Sequence, residues 1–185
     1  GFIDLLSSNK FSTIIKDELN FLSPEKREFE KESLDNTKDL EEVWQGDHIE
    51  VEKDITFEVL WPKKSTWNRQ NGNWEAYLSD FNDSSIVLLM KYKNTATLFS
   101  GDAGSEVLND IADTLAQSKA LKESAIHLYK VPHHGSRDGI SDKLMRLLTP
   151  QVALISVGKN NSFGHPHKET INSLKRMHIP HSRTD

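Results

Sequence analysis

Two pairs of histidines lie close together in the second half of the chain, each at the end of an apolar stretch. His133 and His134 follow the run IHLYKVP, and His165 and His167 belong to the segment after VALISV. An acidic side chain, Asp102, follows the apolar run TATLFSG. The chain has no cysteine, so a zinc or manganese ion would take imidazole nitrogens and carboxylate oxygens. The residue types therefore point to a divalent metal centre.

Each of these groups also has a purely structural interpretation. The pair Gly101-Asp102 is a common turn whose carboxylate caps the next helix. Proline suits the first turn of a helix, so the segment from Gly164 to His167 is compatible with a helix start. Adjacent imidazoles followed by Gly135 and Ser136 are awkward in a core and unnecessary in a surface turn, which favours a functional role. Structural or surface roles are predicted for four isolated histidines, His48, His127, His178 and His181.

The segments that must position these side chains alternate between strand and helix patterns. Apolar runs of strand length lie at 84–92, 95–100, 125–131 and 151–157. The first two are separated by a Lys93-Asn94 turn and are typical of strands covered on both faces. Helical spacing of apolar residues lies at 104–116, 141–148 and 167–177. Ser105 and Ser141 are the predicted N-caps of the first two helices. The alternation predicts a layered α/β fold, in which the loops at the carboxyl ends of strands gather along one edge.

The first half of the chain has a different character. Residues 23–42 are dense in charge and predict a solvated helix or a mobile insertion. Residues 48–60 alternate apolar and polar side chains around a Lys53-Asp54 turn, which is typical of a hairpin. The Asn-, Trp- and Gly-rich segment from Trp61 to Phe81 shows no sustained period and predicts a long loop.

Composition limits the classes of protein to consider. The chain has 185 residues, enough for one domain with a core of its own, and a formal net charge of -5. That charge argues against a broadly basic nucleic-acid surface, so a polyanion would have to meet a local patch or a metal. No apolar run is long enough for a transmembrane helix, and no secretory leader pattern is found in the sequence as given.

Four motifs taken in order resemble one known family. They are NDSSIVLLMKYKNTATLFSGDAG, YKVPHHGS, ALISVGKNNSFGHPH and the final RTD. This combination is similar to the metallo-β-lactamase domain of the bacterial competence DNA-uptake protein ComEC and its stand-alone relatives. The resemblance implies an α/β fold, a metallo-β-lactamase-type αββα sandwich with metals held at one edge between two sheets. It covers residues 46–185, interpreted as the C-terminal portion of that domain, and leaves 1–45 as a charged helical or irregular segment.

The resemblance also implies roles for individual residues. Asp102 corresponds to the carboxylate that bridges two metal ions, and His134 is narrowly preferred to His133 as a metal ligand. His133, Ser136 and His165 are then candidate catalytic residues that orient ligands, hold substrate or protonate a leaving oxygen. Asn82 and the Ser84-Ser85 pair match a turn with a pocket contact. The implied activity is metal-dependent hydrolysis of phosphodiesters with two zinc or manganese ions, and the implied substrate is single-stranded DNA or another phosphodiester.

One part of the family pattern is missing. Nothing before Asp102 matches the His-x-His-x-Asp-His motif that supplies most of the metal ligands, and only His48 precedes it among the histidines. The sequence therefore predicts half of an active site, whose other half would come from an N-terminal segment in the same parent protein or in another chain. The alternative is a degenerate, non-catalytic interaction module that binds a partner through the Trp61 to Trp74 segment. The compartment would be cytoplasmic for a stand-alone protein and extracytoplasmic for part of a competence-type membrane protein.

Overall fold

A seven-stranded mixed sheet forms the centre of the computed structural model, which describes residues 11–16, 37–70, 73–76, 81–117 and 126–185. The strands are β1 (Phe11–Lys16), β2 (Thr37–Glu42), β3 (His48–Glu52), β4 (Ile55–Trp61), β5 (Trp67–Gln70), β6 (Asn73–Ala76), β7 (Val87–Tyr92), β8 (Thr95–Phe99), β9 (Ile126–Lys130), β10 (Val152–Ile155) and β11 (His181–Arg183). The central sheet has the order β11-β10-β9-β8-β7-β4-β3, while β1 pairs with β2 and β5 pairs with β6.

The central sheet is antiparallel on one side of β8 and parallel on the other. Strands β3, β4, β7 and β8 pair antiparallel, whereas β8, β9, β10 and β11 pair parallel. In the parallel half, Phe99 lies opposite Lys130 and Ile155 lies opposite Arg183. The carboxyl ends of these four strands are therefore level, and the loops that leave them start at one edge of the sheet.

Three helices in the described part of the chain pack together against the sheet: α1 (Ser105–Gln117), α2 (Asp142–Leu148) and α3 (Lys168–Arg176). The buried residues of α1 are Val107, Leu108, Ile111, Ala112 and Leu115, and they belong to the same core cluster as the strand side chains. Full burial of a large aliphatic side chain contributes about 1.5–3 kcal/mol. The apolar face of α1 therefore fixes the helix that begins directly after the Asp102 loop.

The predicted local signals are found at both hairpins and at one helix start. The Lys53-Asp54 turn joins β3 to β4, with Asp54 at φ 70°, and Lys93 at φ 50° begins the turn between β7 and β8. The side chain of Ser141 accepts a hydrogen bond from Leu144 N at 3.0 Å, which confirms it as the N-cap of α2. These features depend on neighbours in sequence, so the sequence predicts them well.

Burial of the central strands is less complete than the apolar runs predict. In β7, Val87 and Leu89 are buried, while Leu88 and Met90 on the opposite face are half-buried. In β8, Phe99 is 37% exposed. The α/β layering is as predicted, but the expectation of full cover on both faces of these strands is met on one face only.

The long loop predicted from Trp61 to Phe81 is wrong for most of its described residues. Trp61 ends β4, is 3% exposed and donates from Nε1 to Asp83 O at 2.6 Å. Strands β5 and β6 then form an antiparallel hairpin. An Asn-Gly pair separates them in the sequence, and this dipeptide favours a two-residue turn; its residues, 71 and 72, lie outside the described part. Because Trp61 packs in the core, it is not a surface for partner binding.

The predicted helix or insertion at 23–42 is wrong for its last six residues. Residues 37–42 form β2, which pairs parallel with β1. Parallel pairing with a distant strand is a long-range contact that charge density does not reveal. Residues 23–36 lie outside the described part of the chain, and the domain boundaries drawn at residues 45 and 46 stay a prediction. No helix in the described ranges combines the length and hydropathy needed to cross a bilayer.

Candidate active site at the carboxyl edge of the sheet

Three loops meet at the carboxyl edge of the parallel strands. They follow β8, β9 and β10 and contain Asp102, the His133-His134 pair and His165, respectively. Backbone hydrogen bonds join them: His133 N donates to Gly101 O at 3.1 Å, and His167 N donates to Gly135 O at 2.9 Å. The structure therefore brings together the loops that the sequence expected at one edge, although the chemical roles of their side chains stay predictions.

The segment before β7 accepts hydrogen bonds from the backbone of the Asp102 loop. Asp102 N donates to Ser85 Oγ at 3.0 Å, and Gly104 N donates to Asp83 Oδ1 at 2.9 Å. Gly101 has φ +52°, and a Cβ on it would lie 2.7 Å from the Ser85 Cβ, so the two segments are in close contact. The predicted turn is a 3-10 helix at Phe81–Ser84. This helix, with Ser85 directly after it, holds the backbone on both sides of Asp102. Sequence reasoning missed Asp83, because its partner Gly104 is 21 residues away.

The backbone of the histidine pair is strained. His133 has φ 44° and His134 has φ 54°, so two consecutive residues with side chains lie in the left-handed region. Each such residue costs about 1–2 kcal/mol relative to the right-handed conformation. Local bonds from Gly135 N to Pro132 O and from Ser136 N to His133 O, both 2.9 Å, help to hold the turn. Strain of this kind persists where the surroundings impose it, and it concentrates at functional sites.

Three imidazole rings surround that of His165, so the four rings form a cluster. The centroid of its ring lies 5.4 Å from that of His133, 6.4 Å from that of His134 and 4.7 Å from that of His167. Burial lowers the pKa of His165, and the like charges that His167, His133 and His134 would carry lower it further, while the Asp102 carboxylate opposes them. His165 is therefore held neutral near neutral pH, with a lone pair available to accept a proton.

His134 is oriented by a backbone carbonyl. Its Nδ1 lies 2.7 Å from Ser156 O. A carbonyl oxygen can only accept, so Nδ1 carries the hydrogen and Nε2 keeps the lone pair. Metal-binding histidines typically donate their other ring N–H in this way, which fixes the tautomer and the ring orientation. The side chain is exposed, so Nε2 is accessible, and this is the arrangement expected of a ligand.

The loop after β10 is fastened by side chains that sequence reasoning did not single out. Asn161 donates from Nδ2 to His165 O at 2.7 Å and accepts from His165 N at 2.9 Å. The His167 Nδ1 accepts from Arg137 N at 3.0 Å, so this imidazole links two site loops and is not merely solvated at a helix start. Ser136 is 6% exposed, and its carbonyl accepts from Thr170 Oγ1 at 2.8 Å.

Lys130 brings a cation to the same edge. Its Nζ donates to Val131 O at 2.7 Å. Burial lowers its pKa, and the nearby Asp102 carboxylate opposes that effect. Lysine stems commonly lie along apolar surface with the charged head in water, so residue type alone does not predict that this lysine is half-buried beside the carboxylate.

The donor chemistry suits a divalent ion, but the number of donors does not complete a site. Asp102 offers carboxylate oxygens and His134 offers Nε2, the ligand types used by zinc and manganese. Within the described ranges, no group of three or more histidine, aspartate or glutamate side chains is arranged to hold a metal ion. These residues therefore fit part of a metal shell and not the whole of one.

Comparisons with known proteins were made for the sequence and for the fold. No family model matches the chain. It is 32% identical over 146 residues to ComE operon protein 3 of Bacillus subtilis (strain 168), covering 79% of this chain and 16% of that protein. It is 28% identical over 133 residues to Recombination protein 2 of Haemophilus influenzae, covering 72% and 14%. The chain thus spans less than a fifth of the length of either relative.

The fold comparison found a metal-dependent hydrolase from Parabacteroides distasonis with a TM-score of 0.47 and 11% identity, covering 96% of this chain and 78% of that one. This overlap is too low to transfer a property. The mixed sheet, its helices and the histidine-rich carboxyl edge define a protein with a metallo-β-lactamase-type fold. The chain is a ComEC-like relative within that fold family. The resemblance predicted from the motifs and the two sequence matches both support this assignment.

Proposed function

We propose that this chain provides part of the catalytic centre of a metal-dependent hydrolase that cleaves phosphodiesters, with single-stranded DNA as the substrate. The observation that carries the proposal is the meeting of the Asp102 loop, the oriented His134 imidazole and the neutral His165 imidazole at one sheet edge. A carboxylate and a histidine with a free Nε2 suit an ion, and a neutral imidazole beside them suits proton transfer.

Within this proposal, Asp102 and His134 hold zinc or manganese. A bound divalent ion supplies charge that polarises a phosphoryl oxygen and lowers the pKa of a coordinated water. His165 accepts or returns a proton, because its ring lies among the other imidazoles of the site and its lowered pKa keeps the neutral, proton-accepting form present at neutral pH. His133 steadies the substrate oxygen or the neighbouring ligand. The buried Ser136 supports the turn that presents both histidines.

The remaining ligands are proposed to come from outside the described residues. Asp102 and His134 alone leave a zinc shell of four ligands incomplete. The missing donors would be those of a His-x-His-x-Asp-His segment, in the same parent protein or in another chain. Metal affinity should therefore rise sharply when that segment is present.

The test is metal binding followed by cleavage. The chain, and the parent protein that contains it, are loaded with manganese or zinc, dialysed and measured for bound metal by elemental analysis. Asp102→Asn should abolish the metal retained by the parent protein, whereas Glu52→Gln, an exposed acid on β3 at the far edge of the sheet, should not. Metal retained equally by Asp102→Asn would refute the assignment.

Cleavage is measured with labelled single-stranded DNA and the manganese-loaded parent protein. His134→Ala should lower the rate by more than tenfold, since removing even the hydrogen-bond partner of a ligand costs roughly 10–100-fold. The matched control is His48→Ala, an exposed histidine on β3. If the metal-loaded parent protein cleaves no phosphodiester at all, the proposed activity is wrong.

A further inference from the structure

An exposed aromatic ring lies at the rim of the histidine cluster. Phe163 is 76% exposed, more than any other large hydrophobic side chain in the described part of the chain. It belongs to the loop between β10 and α3, two residues before His165. Tyr92, at 41% exposure, lies at the opposite end of the β7–β8 pair, whereas Phe99, which ends β8 at this same edge, is only 37% exposed. The ring therefore meets whatever approaches the cluster from solvent.

One face of the Phe163 ring is covered and the other is open. The ring stacks on His165 with centroids 5.9 Å apart and planes inclined by 23°. The high exposure of the side chain leaves its second face to solvent. A flat ring backed by an imidazole and open on its outer side can stack on a second planar group, and nucleobases are planar groups with two π-faces.

The loop that presents Phe163 is fastened on both sides of it. Asn161 donates to Gly158 O at 3.2 Å and is joined to the backbone of His165 through both its amide atoms. Gly164 has φ +70°, a conformation that glycine adopts at no steric cost. Because the backbone of the loop is held in place before a ligand arrives, little backbone freedom is lost when the ring stacks on one.

The charge of this loop suits a polyanion, although the charge of the chain does not. The loop, residues 156–167, contains Lys159 and no aspartate or glutamate, whereas the whole chain carries a net charge of -5; α3 then begins with Lys168 and Glu169. Single-stranded nucleic acids are bound by such local combinations of cations along the backbone and aromatic rings under the bases.

We propose that Phe163 is a stacking platform for an unpaired nucleobase of single-stranded nucleic acid, placed so that the adjoining phosphodiester reaches the histidine cluster. The choice of a nucleic acid as substrate rests on the function proposed above. The preference for single strands follows from the platform itself, since bases in a duplex are already stacked on their neighbours and cannot cover the ring without being extruded.

The experiment measures binding without cleavage. Fluorescence anisotropy of labelled oligothymidylate is titrated with the chain in chelator at fixed salt, in parallel with an abasic oligonucleotide of equal length and with duplex DNA. The wild-type chain should bind oligothymidylate more tightly than either comparison ligand. Phe163→Ala should weaken that binding by about 5- to 150-fold, the range found for base–aromatic stacking, and leave abasic binding unchanged.

Two further variants separate stacking from general effects. Phe163→Trp keeps a π-face and should keep the preference for bases, whereas Tyr92→Ala removes an exposed aromatic ring elsewhere and should change nothing. Equal affinity of the wild-type chain for intact and abasic strands, no binding of either, or an unchanged affinity in Phe163→Ala would each overturn the platform.

The outcome is independent of the cleavage test. If binding depends on the bases but the metal-loaded parent protein cleaves nothing, the proposed function is wrong and the stacking platform stands. If single-stranded DNA is cleaved but Phe163→Ala binds it as tightly as the wild type, the proposed function stands and the stacking platform is wrong.

Discussion

Replacing Gly135 by alanine should destabilise the turn that contains the histidine pair. Gly135 has φ +84°, where an alanine is strained by about 1–2 kcal/mol. A Cβ there would also lie 2.6 Å from Pro166 Cβ and 3.2 Å from Pro166 Cα, well inside the 3.5–4.0 Å at which carbon atoms pack. Proline cannot rotate its ring away, so the backbone has to move, at a further cost of about 1–3 kcal/mol.

Gly135→Ala is therefore expected to lower the free energy of unfolding by about 2–5 kcal/mol, the sum of these two contributions. Gly46→Ala is the matched control, because Gly46 has φ +95° and nothing within 4 Å of the added carbon. It should show the backbone strain alone. Urea unfolding at neutral pH gives both values.

The same variant should disturb the histidine cluster, because Gly135 O accepts the hydrogen bond from His167 N that joins two site loops. NMR resonances of the imidazole rings of His134 and His165 should shift in Gly135→Ala and stay unchanged in Gly46→Ala. A Gly135→Ala chain no less stable than Gly46→Ala, with unchanged imidazole resonances, would refute the close contact between this glycine and Pro166.

Three other substitutions test the packing of the helices. Ser141→Ala removes the N-cap of α2 and should lower the free energy of unfolding in urea by about 0.5–2 kcal/mol; an unchanged value would show that the cap contributes nothing. Leu174→Ala, at a fully buried position, should lower it by about 2–5 kcal/mol, whereas a loss as large in the exposed Leu147→Ala would contradict the observed burial. The Ser173 hydroxyl lowers the pKa of Asp142 from its usual 3.8, so that carboxylate stabilises the fold above this value and loses its contribution as the pH falls below it. Ser173→Ala should therefore lose more stability at about pH 7 than at about pH 3, and an equal loss at both would show that the pKa of Asp142 does not depend on Ser173.

Local chemistry in the sequence predicts several elements in both halves of the fold. Alternation with a Lys53-Asp54 turn predicts the β3–β4 hairpin, and the Ser141 cap marks the start of α2. Such features are decided within a few residues of chain, so one sequence suffices to find them.

The side chains that assemble the site could not be predicted in this way. Asp83 holds the backbone of Gly104, and His167 accepts from Arg137, over separations of 21 and 30 residues. The first pair meets because β7 and β8 lie side by side in the sheet, and the second because β9 and β10 do. The predicted loop from Trp61 to Phe81 failed for a related reason, because the burial of Trp61 depends on the core that surrounds it.

The change of strand direction at β8 affects the order in which the protein should fold. On one side of β8, the pairs β3–β4 and β7–β8 are joined by tight turns, so their contacts are close in sequence and form early. On the other side each parallel neighbour arrives only after a long crossover, and such contacts form slowly. Asp102 follows β8 itself, while the histidines belong to the late strands. We expect the paired imidazoles to reach Asp102 in one of the last steps of refolding, after most of the hairpin structure is in place.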